Sequence, residues 1–285
     1  MDQVALVKYN GKLGETIEKG IGLLNRWRAP KSPLIVKPNI AAMVTKSKFA
    51  VTDVKVVEAV AKLALRQDKN LSVKIVESDS DCKFADEAFK KFGYTRVEKK
   101  LQALGFDVSL VNLSHLETIS TRLNGLYFKN PELPDVIAGS KYLVSIAVAK
   151  THPLTFVTGS MKNLFGLLPR KDKVFYHPHI NDVIVDLNRL VRTDLCIVDA
   201  RMGVEGWEGP IARRLDMFIL GTKPASVDAT MARIMGFKPE KIRHLVEAEK
   251  FGLGRLDPLV LGENVESVTV KFRSPSNLSP KALVT

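Results

Sequence analysis

Three of the chain's five histidines fall in one stretch, Lys150 to His179, among hydroxyls, amides, glycines and basic side chains. His152 follows a nearly unbroken apolar run, Tyr142 to Ala149, which reads as a buried strand. Lys150, Thr151 and His152 are therefore expected at that strand's carboxyl end, where open α/β sheets place their ligands. An imidazole there can serve as a general acid or base. Lys162 comes ten residues after His152, beyond Thr155, Thr158, Gly159 and Ser160. These small residues predict a helix start whose free amides and hydroxyls face an anion, with Thr158, Ser160, Lys162 and Asn163 as its ligands. The competing reading leaves Lys162 and Asn163 as ordinary helix-surface residues.

His177 and His179 flank Pro178, which argues against a continuous helix and predicts an extended segment with both imidazoles on one side. Two neutral imidazoles so placed can hold a transition metal. Asp199, at the end of a predicted strand Leu195 to Val198, could complete that site, ahead of Glu205 in the loop DARMGVEGWEGP. The plain alternative is a solvated His-Pro-His loop, with Asp199 capping the turn after its own strand. Trp207 in the same loop either covers a cleft or packs against it. Cys82 and Cys196 are too few for a disulfide framework or the four thiolates of an iron–sulfur cluster, so no such cluster is expected from this chain. Both cysteines read as small buried apolar residues. His115 and His244 read as structural, and Asp228 as a helix-dipole partner.

The elements that must position these groups alternate strand with helix. Strands are predicted at Val4 to Lys8, Leu34 to Lys37, Leu71 to Glu77, Phe106 to Leu113 and Met217 to Leu220, besides the two named above. Helices are predicted from about Asp53 to Arg66 with Thr52 as N-cap, at Phe84 to Phe92 and at Arg96 to Leu104. Others follow after Asn181 as N-cap, from Pro224 to Gly236, and from Pro239 to near Gly252. This order implies an α/β fold, a largely parallel sheet with helices on both faces. Lys37 and Asn39 flank Pro38 at the second strand's end, ahead of the polar loop Thr45 to Lys48, and are also candidate anion ligands. Should the two strand ends adjoin, Lys37, Lys150 and Lys162 would line one cleft suited to an acidic small molecule or a phosphorylated cofactor.

With 285 residues and 45% hydrophobic content, the chain can bury one large core or two ordinary ones. A division would give an N-terminal α/β lobe, 1–130, and a C-terminal lobe, 131–285, carrying the His/Lys motif, with the cleft between them and the boundary at Lys129 to Pro134. The charge balance, 43 − 31 = +12, favours acidic partners and permits non-specific nucleic-acid binding. The basic residues are scattered, however, and no RNA-binding signature appears. No apolar stretch is long enough to span a membrane, and the start, MDQVALVKYNGK, lacks a signal-peptide core. A cytoplasmic location without a membrane partner is expected.

Several blocks in order resemble the domain of unknown function 362 family: Lys37-Pro38-Asn39, KTHPLTFVTGSMKNLFGLLP, Tyr176-His177, IVDARMGVEG, and KPASVDATMARIMGF from Lys223 to Phe237. Two departures stand out. Many members carry a cysteine-rich ferredoxin-like domain that this chain lacks, and the family's E-G-x-G-P is one residue longer here, Glu205 to Pro210. A more distant similarity, to the nickel-pincer lactate racemase group, lies in the order His152, Lys162, then His177 or His179. That resemblance implies an imidazole base, a lysine holding a nucleotide-derived nickel cofactor, and an imidazole on the metal.

The leading expectation is a small-molecule enzyme for an anionic substrate or cofactor, with metal-assisted acid/base chemistry through His152. The alternative is a non-catalytic module that binds an acidic metabolite or nucleic acid, marked by a steep salt dependence.

Overall fold

The computed structural model describes residues 1–25, 28–275 and 277–284. In chain order its strands are β1 Gln3–Lys8, β2 Leu34–Pro38, β3 Val73–Glu77, β4 Val108–Asn112, β5 Thr118–Ser120, β6 Glu132–Pro134, β7 Tyr142–His152, β8 Phe156–Thr158, β9 Leu195–Glu205, β10 Ile211–Gly221 and β11 Leu259–Gly262. The helices are α1 Leu13–Gly22, α2 Val54–Gln67, α3 Ala85–Lys91, α4 Tyr94–Gln102, α5 Asp135–Ala138, α6 Ser160–Asn163, α7 Ile180–Leu190, α8 Pro224–Ile234, α9 Arg243–Lys250 and α10 Val265–Val268.

Nine strands form one sheet in the order β11-β1-β10-β9-β7-β2-β3-β4, with β8 folded back on β7; β5 and β6 make a separate ribbon. Pairing is parallel from β9 through β7, β2 and β3 to β4, and antiparallel where β10 meets β9 and β1. Alternation along the strands divides the core in two. Ala5, Val7, Leu34 and Val36 face α1 to α4, whereas Val4, Leu6 and Ile35 face α6 to α9. Helices thus cover both faces, as expected for a mostly parallel sheet that must hide two apolar surfaces. The sheet continues across the Lys129 to Pro134 position, since Leu34 of β2 pairs with Tyr142 of β7.

Some local assignments differ from expectation. The N-cap of α2 is Asp53, whose carboxylate accepts from Lys55 N. Thr52 instead accepts from Asn39 N and donates to Ile146 O, tying the loop after β2 to β7. Helix α7 starts one residue before Asn181, which is buried and donates to Leu154 O and Lys281 O. Strand β9 does not stop at Val198 but runs on to Glu205 as one arm of a long hairpin with β10.

Candidate functional site

Along the parallel part of the sheet, β2 leads outward to β3 and β4, after which the chain returns at β7 on the other side of β2 and moves outward to β9. The junction of β2 and β7 is a topological switch point, the place where open α/β sheets leave a crevice beyond their strand ends. There the structure has a pocket of about 320 Å³. Its floor comes from three adjacent carboxyl ends: Lys37 and Asn39 at β2, Glu77 at β3, Lys150 and His152 at β7. Thr158, Lys162 and Asn163 join the wall from the β8–α6 segment, and His177 and Trp207 from more distant turns. Lys83 and Lys173 complete five lysines against two carboxylates, Glu77 and Asp81.

Most of these cations are occupied. Lys37 Nζ lies 2.9 Å from Glu77 Oε1 and donates to Pro38 O, and Lys83 Nζ lies 3.6 Å from the same carboxylate. Gly166 makes room for this group, because a Cβ there would stand 2.7 Å from Glu77 Oε1 and 2.8 Å from Lys37 Nζ. Burial outweighs the glutamate and holds the Lys37 pKa below its usual value. Lys173 Nζ donates to Ser78 Oγ, Leu168 O and Arg170 O, and burial, then Lys83, lower its pKa to about 7. Lys150 Nζ donates to Asn39 Oδ1 at 2.8 Å and Ala50 O at 3.0 Å, both neutral acceptors. Its pKa falls to about 7 through burial and then repulsion from Lys162 and Lys37.

Lys162 differs. Among the described residues its ammonium has no hydrogen bond or ion pair, only the Phe165 ring 5.5 Å away, and burial lowers its pKa to about 8. Beside it, His152 Nδ1 accepts from Leu154 N at 3.1 Å. Burial and then Lys162 keep that imidazole well below its ordinary pKa, so it is neutral and carries its proton on Nε2. Thr158 Oγ1 is buried without a partner. Lys162, His152 and Thr158 are thus hydrogen-bond donors in one pocket with no protein acceptor assigned to them, and a lowered pKa leaves Lys162 still largely charged at neutral pH.

Other predicted ligands are placed differently. The α6 amides expected to face a bound anion, Ser160 N and Met161 N, already donate to the Asp228 carboxylate reaching over from α8, at 2.6 and 2.9 Å. The dipole role predicted for Asp228 is thus exercised on a neighbouring helix, and Ser160 lies outside the pocket lining. Asn163 lines the pocket but its amide donates to Lys37 O and Ser145 Oγ, bracing β2 and β7.

The His177 to His179 segment is a 3-10 turn, Val174–His179, rather than extended chain. With three residues per turn, side chains two apart diverge. His177 faces the pocket beside Phe165, whereas His179 is exposed and rests on Tyr127. Burial, then Lys162, lowers the His177 pKa. Asp199 lies within β9, outside the pocket, and accepts from Arg201, which also reaches Asp53. Glu205 accepts from Arg213 and Arg273 N. The predicted set His177, His179 and Asp199 is therefore not brought together, and among the described residues no three His, Cys, Asp or Glu side chains are grouped to hold a metal ion. Of the positions that the racemase resemblance singles out, His152, Lys162 and His177 line the pocket and His179 does not.

Sequence reasoning passed over Glu77, Lys83 and Lys173, and mistook Cys82, which is exposed and lines the pocket. The signal for Glu77 was a carboxylate ending a buried strand next to the one ending in Lys37. The lengthened loop after Glu205 forms a turn closed by Gly209 N to Gly206 O, with both glycines at left-handed φ, +81° and +70°. It presents Trp207 to the pocket.

A thylakoid-associated protein, sll1697, of Synechocystis sp. (strain ATCC 27184 / PCC 6803 / Kazusa) is 24% identical over 250 residues, covering 84% of this chain and 74% of that protein. No helix among the described residues is long and apolar enough to cross a membrane. The model of the domain of unknown function DUF362 matches residues 34–233, which spans every strand and loop contributing to the pocket, and the chain belongs to that family.

Proposed function

We propose that the pocket binds an anionic small molecule and that the protein is an enzyme performing proton transfer on it. The observation that carries this reading is the group Lys162, His152 and Thr158: donors lining one pocket, with no acceptor for them among the described residues. A bound oxyanion supplies the acceptor. His152, neutral with Nε2–H free, acts as donor toward developing negative charge rather than as the base. The base is Lys150. Two of its positions are committed to Asn39 and Ala50, and with a pKa of about 7 the third alternates between a proton and a lone pair at neutral pH. A pocket of about 320 Å³ suits a small molecule better than a nucleic-acid strand.

Calorimetric titration with a panel of carboxylates and phosphate esters tests the binding half. Lys162→Ala should weaken binding about 10- to 100-fold, the worth of one charge-assisted hydrogen bond, with unchanged melting temperature. Equal affinity in parent and variant removes Lys162 from the site. For the catalytic half, carboxylic acids with an acidic C–H are incubated with enzyme in D2O and followed by NMR. Exchange that survives Lys150→Met would refute the assignment of the base.

A further inference from the structure

Resting on the reading that the pocket holds an anion, we infer that its ligand carries a single oxyanion on a flat, uncharged aromatic body. The first argument is the number of donors left for an anion. Lys173 already serves three acceptors, and Lys37 and Lys83 are engaged by Glu77 and by backbone carbonyls. Lys150 is held by Asn39 and Ala50, so Lys162 is the one lining lysine whose ammonium meets no acceptor among the described residues, which accommodates one anionic group and not two.

The second argument is the wall beside that group. Ile40, Leu154, Phe165, Val174 and Trp207 all line the pocket. Lys162 Nζ is 5.5 Å from the Phe165 centroid, and the His177 ring lies within 28° of the Phe165 plane at 6.5 Å. Aromatic side chains therefore adjoin the free ammonium, and an aromatic ring bearing an anion meets both at once. Size gives the third argument. About 320 Å³ far exceeds an inorganic oxyanion and falls at the lower end of sites for small organic molecules. A bare anion would leave this apolar wall against water, whereas an aromatic body covers it.

Calorimetry on the full chain compares benzoate with acetate and phenyl phosphate with inorganic phosphate, so that the two pairs also separate a carboxylate from a phosphate ligand. In at least one pair the aromatic member should bind about tenfold tighter or more, as ring contacts of this kind allow. Phe165→Leu and Trp207→Ala, checked for folding by circular dichroism, should shrink that ratio, while Lys162→Ala should weaken the aromatic ligand. Bare anions binding as tightly as their aromatic partners would overturn this inference and leave anion binding standing. An aromatic preference untouched by both wall substitutions would overturn it as well. Absence of binding by all four probes would count against the inference and the anion reading together.

Discussion

Glu77 is 1% exposed and is the one carboxylate at the centre of a buried cationic network. Its oxygens lie 2.9 and 3.6 Å from the ammoniums of Lys37 and Lys83, and they also accept from Ile40 N and Ser78 N. Glu77→Gln preserves the shape and deletes the charge, leaving two buried ammoniums without their counter-ion. Breaking a buried pair from one side costs about 3–5 kcal/mol. With an unfolding entropy of about 0.6 kcal/mol/K for a chain of this length, the melting temperature should drop by about 5–8 °C. The pH dependence gives a second, independent check. Burial already holds the Lys37 pKa below its unfolded value, and loss of Glu77 lowers it further. A lysine so shifted binds fewer protons folded than unfolded, so stability rises with pH between the folded and unfolded pKa values. Urea denaturation of parent and variant should therefore show the widest gap near pH 6 and a narrower one by pH 10. A gap under 1 kcal/mol at pH 6, or one that widens with pH, would refute the network's assigned role.

Three further outcomes follow from the same contacts. Gly166→Ala should cost about 1–3 kcal/mol in chemical denaturation, because its methyl group displaces Lys37 and Glu77, and should weaken anion binding; parental stability would show that the pair can move freely. Asp228→Asn should also cost about 1–3 kcal/mol, since both carboxylate oxygens accept an α6 amide and an Asn side chain offers only one acceptor. Burial raises Asp228 to about 7, so its stabilising share is complete below the unfolded carboxyl range and is lost as pH rises to about 7; a parent–variant difference that grows from pH 5 to pH 8 would contradict this. Lys150, lowered to about 7, acts in the opposite sense and adds stability as pH rises from about 7 toward its unfolded value near 10.5. Lys150→Met should flatten that part of the profile, read as denaturation midpoints from pH 7 to pH 10.

The strands that carry the pocket were legible because their signal is local. Tyr142 to Ala149 is apolar throughout, as a strand buried on both faces must be, and the β-then-α order implies parallel pairing through chain connectivity alone. From that, the position of Lys150 and His152 at a strand end follows without coordinates, and Lys37 and Asn39 follow in the same way. Which charges remain free could not be read there. Lys37 and Lys162 look alike in sequence, yet β3 lies next to β2 and brings Glu77 to Lys37, while no carboxylate or other acceptor among the described residues reaches Lys162, only the Phe165 ring. The α6 amides looked open to an anion until Asp228, 68 residues after Ser160, took them. His177 and His179 parted because the chain made a 3-10 turn where proline's fixed φ suits an extended segment equally well. Local pattern determined the elements and the end of the sheet where the candidate site lies. Long-range pairing, which depends on strand order and helix packing, decided which polar groups there are satisfied and which are left for a ligand.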